Sequence, residues 1–232
     1  MRKNILIIGA SSGIGKALAS VLTDEGHALW ATYHRHEPST QANTQWVRWD
    51  AVNEAFPDGF LPDTLHAVVY CPGSIALKPF QRFTPQDFIN DYQLQVVGAV
   101  KALRAAQAAL KKAESAAVVL FSTVAVQTGF PFHAVVAASK GAIEGLTRAL
   151  AAEWAPTVRV NAIAPSLTDT PLAAALLSNE EKKKANAQRH PLKRLGNAEE
   201  IAQAAAFLLS DAASWITGQV FHIDGGMSSL KI

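Results

Sequence analysis

The stretch Gly9-Ala10-Ser11-Ser12-Gly13-Ile14-Gly15 directly follows the apolar run Ile5-Leu6-Ile7-Ile8 and leads into a helical pattern over about 13–26. Glycine allows a tight turn to adopt positive φ, and it allows main-chain N–H groups to approach an anion closely. The first turn of the helix adds unpaired N–H groups and partial positive charge. A purely structural turn would also favour glycine. The strand before, the helix after and a second strand ending some 20 residues later favour a dinucleotide-binding turn, here called the glycine turn.

Outward from the glycine turn, short apolar runs alternate with longer helical patterns. Seven strands are predicted, at 5–8, 28–33, 44–49, 67–70, 117–122, 157–163 and 220–223, with helical patterns at about 13–26, 85–113, 133–154, 171–189 and 198–210. Most of the runs are continuously apolar, which is typical of strands covered by helices on both faces. The pattern predicts an α/β fold with one domain over 1–232, a Rossmann-like doubly wound parallel sheet of about seven strands.

Composition and charge exclude several classes of protein. Of the 232 residues, 49% are hydrophobic, and 21 Lys and Arg stand against 19 Asp and Glu, which gives a formal charge of +2. This balance argues against disorder and against a nucleic-acid footprint. Cys71 is the single cysteine, so an intramolecular disulfide framework is excluded and a reducing compartment is indicated.

Hydropathy gives no sign of a membrane or export segment. The apolar run before Gly9 has four residues, fewer than the roughly 7–15 of a signal-peptide core. No stretch reaches the ~18 apolar residues of a membrane span. We therefore expect a cytoplasmic protein without membrane or nucleic-acid partners.

Several motifs together resemble the short-chain dehydrogenase/reductase family, over essentially the whole chain. The glycine turn is similar to the family's T-G-x-x-x-G-x-G, with Ile8 in place of Thr. Three further segments match family signatures: Asn161-Ala162-Ile163-Ala164-Pro165-Ser166 followed by Thr168-Asp169-Thr170-Pro171, then Thr217-Gly218-Gln219, and Asp224-Gly225-Gly226. The resemblance implies a nicotinamide cofactor, with Asp50 contacting adenine and Gly73, Pro165 and Thr168 near the nicotinamide.

The end of the second predicted strand bears on the choice of cofactor. A carboxylate there normally accepts hydrogen bonds from the ribose hydroxyls of NAD, whereas a cation accommodates the 2′-phosphate of NADP. Tyr33 occupies this position, His34, Arg35 and His36 follow, and the first acid is Glu37. The Arg35 guanidinium suits a phosphate, with His34 beside it, although a solvated basic loop is the alternative. NADP(H) is predicted over NAD(H).

The proton-transfer residues that the resemblance implies are altered. Lys140 stands at the family's ribose-binding lysine, but Val136 occupies the place of the catalytic tyrosine and has no ionisable proton. Counting back from Lys140, the family's serine corresponds to Thr123 and its asparagine to Gln95.

His133 is a candidate replacement for the missing tyrosine. It precedes Lys140 by seven residues, two helical turns, where some enoyl reductases of the family place their tyrosine. An imidazole exchanges protons near neutral pH, although an exposed loop histidine is an equally good interpretation. Tyr70 and Tyr92 are other sources of a phenol: Tyr70 is expected near the nicotinamide pocket, and Tyr92 is expected to pack.

Three hypotheses for function follow from the altered site. The first is an NADP(H)-dependent reductase of a small carbonyl or enoyl substrate, and the second is an inactive NADP(H)-binding protein that serves as a sensor or oligomer partner. The third, a scaffold that has lost the cofactor too, is disfavoured by Gly9, Gly13, Gly15 and Lys140. Residues 172–195 correspond to the family's substrate lid, and their clustered cations either contact a phosphate-bearing or carrier-linked substrate or form a solvated helix face. The family resemblance also implies a homodimer or homotetramer formed through the two long central helices.

Overall fold

A computed structural model of the chain describes residues 2–38 and 42–231. Seven parallel strands form one sheet in the order β3-β2-β1-β4-β5-β6-β9. Their bounds are β1 (Asn4–Ile8), β2 (Ala28–Tyr33), β3 (Thr44–Arg48), β4 (Ala67–Tyr70), β5 (Ala116–Phe121), β6 (Val158–Pro165) and β9 (Val220–Ile223). β7 (Thr168–Asp169) and β8 (Gly196–Asn197) form a separate short parallel pair. The predicted doubly wound sheet is confirmed.

Helices cover both faces of this sheet. They are α1 (Gly13–Asp24), α2 (Pro85–Tyr92), α3 (Gly98–Leu110), α4 (Ala125–Thr128), α5 (Ala134–Trp154), α6 (Glu180–Gln188) and α7 (Ala198–Leu209). In β1, Leu6 and Ile8 belong to the core on the α3 and α5 face, whereas Ile5 and Ile7 belong to the core under α1 and α7. Continuous apolar strands thus give each face alternate side chains to bury.

The predicted helix over 85–113 is interrupted. A π-helical turn at Gln93–Val97 joins α2 to α3, and such turns often occur at functional sites. Thr84 caps α2 and Asn197 caps α7, each in a reciprocal capping box with the third helical residue.

The helix predicted over 171–189 is wrong in extent. A short 3-10 turn spans Pro171–Ala173, and α6 begins only at Glu180, after Asn179 accepts a hydrogen bond from the Lys182 N–H. An Asx cap favours a new helix start, which explains why the segment is divided.

Parallel strands bring the connections that follow them to one edge of the sheet. The glycine turn leaves β1 there, and the loops after β4, β5 and β6 leave their strands at the same edge. β1 lies between β2 and β4, where the chain direction across the sheet reverses, and ligands of open α/β sheets bind at this point. No helix within residues 2–38 and 42–231 combines the length and apolar character that a bilayer crossing needs.

Candidate active site

The backbone of the glycine turn requires glycine at defined positions. Gly9 and Gly13 have φ of +75° and +51°, a region that favours residues without a Cβ. At Gly15 the constraint is steric, because a Cβ there would lie 2.3 Å from the carbonyl oxygen of Gly9. The Gly9 N–H donates to Thr32 Oγ1 at 3.1 Å, which fixes the turn against β2.

The first turn of α1 is left open to an anion. Ser12 lies at the N-cap, but its side chain makes no capping hydrogen bond, and the first turn carries no acidic residue. The N–H groups that begin a helix have no partner within it, so here they face the region beyond the turn. With Ser11 and Ile14 beside them, these features fit the pyrophosphate of a dinucleotide.

The loops after β2 and β3 bring the predicted adenosine-binding residues together. His34 Nε2 lies 3.4 Å from the Asp50 carboxylate. Hydrogen bonds from the Asn53 side chain and from the N–H groups of Val52 and Asn53 lower the pKa of Asp50 to about 2. Arg35 is exposed and makes no hydrogen bond or ion pair within the described part of the chain. The guanidinium is therefore available to a ligand, and His34 is engaged with Asp50.

A cavity of about 280 Å³ opens at this edge of the sheet. All four predicted catalytic residues, Gln95, Thr123, His133 and Lys140, line it together with Val136. The predicted cofactor residues Ile14, Gly73, Pro165 and Thr168 line it as well. The glycine turn, His34, Arg35 and Asp50 lie along the same edge, after β1, β2 and β3.

Lys140 is a buried cation in the wall of this cavity, 8% exposed. Its ammonium forms no hydrogen bond to any residue in the described ranges. Burial lowers the pKa of Lys140 to about 8, and the Asp91 carboxylate acts in the opposite direction. Burial also raises the pKa of the neighbouring Cys71 thiol to about 12, so at neutral pH that thiol is uncharged. Lys140 is thus poised to bind an acceptor oxygen of a ligand.

The π-helical turn presents Gln95 to Lys140. Gln95 is fully buried, and its Nε2 donates to Asp91 Oδ2 at 2.7 Å, while its Oε1 has no hydrogen-bond partner in the described structure. A Cβ placed on Gly73 would lie 3.6 Å from that Oε1 and 3.8 Å from Lys140 Nζ. The acceptor Gln95 Oε1 and the donor Lys140 Nζ, both without a hydrogen-bond partner in the described structure, therefore lie close to Gly73.

Asp91 is a functional residue that the sequence reasoning missed. It is 6% exposed and accepts hydrogen bonds from both Ser74 Oγ and Gln95 Nε2. The sequence does contain a signal, because Asp91 precedes Gln95 by four residues and so shares its helix face. A carboxylate on the buried face of a helix requires partners, and here these partners belong to the site.

Two adjacent hydroxyl residues follow β5 and have different roles. Ser122 Oγ donates its proton in a 2.8 Å hydrogen bond to the buried Glu144 carboxylate, so that proton is not available to a substrate. Thr123 lines the cavity, and its Oγ1 accepts only a long hydrogen bond, 3.3 Å, from the Ala125 N–H. Thr123 thus retains a hydroxyl proton for a substrate oxygen.

His133 is half-buried at the N-cap position of α5. Its Nδ1 lies 2.7 Å from the carbonyl oxygen of Pro131. Because a carbonyl oxygen only accepts hydrogen bonds, Nδ1 carries the proton in this contact, and Nε2 of a neutral ring is then an acceptor. His133 can donate from Nε2 only as an imidazolium.

The two tyrosines considered as phenol sources lie elsewhere. The prediction for Tyr70 is wrong: its hydroxyl is buried on the α3 and α5 face and donates to the Leu94 carbonyl at 2.5 Å, within the π-helical turn. A strand alternates its side chains, and position 70 points away from the cavity. Burial raises the pKa of this phenol well above its usual value. Tyr92 was expected to pack, but it is 45% exposed on α2.

Comparison with known proteins finds similar sequences that match nearly the full length of this chain. The family model described as enoyl-(acyl carrier protein) reductase matches residues 9–228. A tropinone reductase homolog from Arabidopsis thaliana is 34% identical over 245 residues, covering 97% of this chain and 92% of the relative.

Solved structures with bound nucleotide are also similar. ElxO with NADP bound superposes with a TM-score of 0.87 at 26% identity, covering 99% of this chain and 100% of that one. The 3-ketoacyl-(acyl-carrier-protein) reductase from Brucella melitensis complexed with NADH gives a TM-score of 0.87 at 26% identity, covering 97% and 98%.

Proposed function

We propose, from the premise that this chain belongs to the short-chain dehydrogenase/reductase family, that it is an NADP(H)-dependent reductase of a small carbonyl or enoyl substrate. One observation carries the proposal: Gln95, Thr123, His133 and Lys140 line a single cavity at the edge where the glycine turn begins α1. Similar structures hold NADP or NADH, which supports a nicotinamide cofactor in this chain too.

Each side chain has a role that its geometry supports. The nicotinamide cofactor, when bound, supplies the hydride. The buried Lys140 ammonium donates to a ribose hydroxyl, because it has no hydrogen-bond partner among residues 2–38 and 42–231. Thr123 donates a hydrogen bond from its hydroxyl to the substrate oxygen. The His133 imidazolium transfers a proton to the substrate or stabilises a developing enolate.

Reduction of a polarised C=C bond fits this arrangement better than alcohol oxidation. Alcohol oxidation requires a base that removes the hydroxyl proton, whereas hydride addition to the β-carbon of a C=C bond leaves an enolate, which hydrogen bonds stabilise until a proton is added. Val136 supplies only hydrocarbon where the family has its phenol, and it lines the cavity. His133 has its Nδ1 bound to the carbonyl oxygen of Pro131, so it donates from Nε2 only in its charged form.

The test of His133 uses two substitutions. His133→Ala should lower kcat of NADPH-dependent reduction by about a hundredfold or more across ketone and enoyl panels, the scale of general acid catalysis. Adding Val136→Tyr to that variant restores the family's donor position and should recover part of the loss. Unchanged turnover in His133→Ala, or no turnover of any panel compound by the unaltered protein, would contradict the proposal.

The preference for NADP(H) rests on Arg35, which is exposed and unpaired in the described residues. Arg35→Ala should weaken NADPH binding about tenfold, because it removes a charge-assisted contact to the 2′-phosphate, and should leave NADH binding unchanged. Lys112→Ala, an exposed cation between α3 and β5 at the opposite edge of the sheet, is the control. An equal loss of NADPH and NADH affinity would show that Arg35 attracts both nucleotides by its charge and does not recognise the 2′-phosphate.

A second candidate function is an NADP(H)-binding protein without turnover. The buried apolar Val136 favours it, because no phenol stands in the cavity. It predicts saturable NADPH binding by calorimetry, no consumption of NADPH with any panel compound, and association with a tyrosine-bearing relative.

The remaining assignments concern assembly, movement and location. We propose one domain over 1–232, with residues 172–195 as a substrate lid and a homodimer or homotetramer formed through 85–113 and 133–154. We also propose a cytoplasmic location, supported by the single thiol of Cys71. Light scattering of the purified chain measures the assembly directly.

A further inference from the structure

The lid region 172–195 contains six cations, and their positions differ. Four are engaged within the protein: Lys182 with Ser178, Lys183 with Asp169, Lys193 with the Gln188 carbonyl, and Arg194 with Glu200. Lys184 is exposed and is not part of the cavity wall. Arg189 alone among the six lines the cavity that contains Thr123 and Lys140.

Arg189 is held in place by an aromatic ring rather than by an acid. Its guanidinium carbon lies 5.7 Å from the centre of the Phe130 ring, and it makes no ion pair or side-chain hydrogen bond within the described ranges. The His133 ring packs on the same phenyl group at 5.5 Å. A cation over a ring face is oriented but keeps its N–H donors free.

The wall of the cavity carries a net positive charge. Lys140 and Arg189 belong to it, and none of the described residues that line it is Asp or Glu. Asp91 stands behind Gln95 and is not part of the wall. Apolar side chains, including Leu77, Leu172 and Leu176, make up much of the remainder. Such a cavity attracts a small anion that has an apolar body.

We propose that Arg189 binds a carboxylate of the substrate, at the end of the molecule remote from the carbon that receives the hydride. This inference rests on the proposed reductase function and names its substrate class. A planar guanidinium matches a carboxylate with two parallel hydrogen bonds, whereas an ammonium does not. Because Arg189 is exposed at the surface end of the cavity and Lys140 is buried, the carboxylate lies at the entrance and the reacting carbonyl or enoyl group lies inside.

The test compares an acid with its uncharged ester. The probes are 6-oxohept-4-enoate and its methyl ester, with kcat/KM measured under NADPH and binding measured by calorimetry on NADP⁺-loaded protein. The unaltered protein should prefer the acid about tenfold, and added salt should reduce this preference. Arg189→Gln should abolish the preference through KM, with the ester little affected, and Arg189→Lys should retain only part of it.

Lys184→Gln is the matched control, because it removes one lid cation outside the cavity and should preserve the preference for the acid. Equal binding of acid and ester by the unaltered protein, or an equal loss for both in Arg189→Gln, overturns the carboxylate assignment while leaving reductase activity intact. If NADPH is not consumed but calorimetry still shows acid-selective binding that depends on Arg189, the reductase function fails and the carboxylate site stands.

Discussion

The glycine turn and the start of α5 lie at the same edge of the sheet but do their work with different atoms. The glycine turn offers main-chain N–H groups, positioned by the positive φ of Gly9 and Gly13 and by the close approach of Gly15 to the Gly9 carbonyl oxygen. The start of α5 offers side chains, among them His133 and Val136, which line the cavity. Main-chain recognition depends on the backbone at Gly9, Gly13 and Gly15, whereas a side-chain function can be supplied from a neighbouring position.

The largest effect is expected where the main chain is forced to move. Gly15→Ala places a Cβ 2.3 Å from the Gly9 carbonyl oxygen, so the glycine turn must open. We expect NADPH affinity to fall about a hundredfold and the free energy of unfolding to fall by about 1–3 kcal/mol. Calorimetry and denaturant unfolding measure the two quantities.

Gly145→Ala is the control for this variant. Gly145 lies in α5, and a Cβ there meets nothing within 4 Å, so the change should be neutral or stabilising by up to about 1 kcal/mol. If Gly15→Ala binds NADPH normally, the contrast between main-chain and side-chain recognition does not hold.

The next effect concerns Lys140, where substitution should change NADPH affinity and the free energy of unfolding in opposite directions. The pKa of Lys140 is about 8 when folded and near 10.5 when unfolded, so folding penalises the charged form, by up to about 3 kcal/mol below pH 8. Between pH 8 and 10.5 the unfolded chain binds more protons, and the cofactor-free protein should become more stable as pH rises. Lys140→Met should remove this rise, increase stability at pH 7 and weaken NADPH binding.

Denaturant unfolding between pH 7 and 10 checks the prediction, with Lys112→Met as the exposed control. A rise in stability of the same size in Lys140→Met and in the unaltered protein would assign it to other groups.

A smaller effect is expected at Asp91, which stabilises the charged form of Lys140. Asp91→Asn keeps one acceptor oxygen, for Ser74 or for Gln95, and removes the charge, so the pKa of Lys140 should fall further. NADPH binding at pH 8 should weaken about tenfold. The pH above which NADPH binding is lost should become lower. Fluorescence titration across pH measures both, and Glu153→Gln, an exposed acid on α5, should leave the profile unchanged.

The smallest effect concerns the phenols outside the cavity. Tyr70→Phe leaves the Leu94 carbonyl without its donor and should cost about 1–3 kcal/mol of unfolding free energy while turnover persists. Tyr92→Phe, at an exposed position, should change stability by less than about 0.5 kcal/mol. Loss of turnover in Tyr70→Phe would return that phenol to the list of proton donors.

The sequence predicts some parts of this molecule better than others, for physical reasons. Apolar runs identify the strands, because both faces of a central parallel strand must be buried, and capping residues identify the starts of α2 and α7. The π-helical turn that carries Gln95 has no such signal, since an extra residue in one turn leaves the apolar pattern nearly unchanged.

Side-chain direction is a further limit. Tyr70 ends a strand at the correct edge, but only the register of β4 decides which face receives its hydroxyl. Two contacts of the site are also not predicted from the sequence: the hydrogen bond between Gln95 and Asp91, and the packing of Arg189 on Phe130. Each of these residues, taken alone, has the sequence pattern of an ordinary solvated or packed position. Such pairings depend on packing between elements, which the sequence does not state.

The Lys140 ammonium, which has no hydrogen-bond partner in the part of the chain that the structure describes, also has a consequence for the lifetime of the protein in a cell. A ligand hydroxyl that accepts from Lys140 Nζ stabilises the folded chain alone, so the supply of nicotinamide nucleotide sets how often the chain unfolds. Proteases degrade unfolded molecules, and a change of one or two kcal/mol alters abundance severalfold. The amount of this protein should therefore follow the size of the nucleotide pool, even when synthesis is constant.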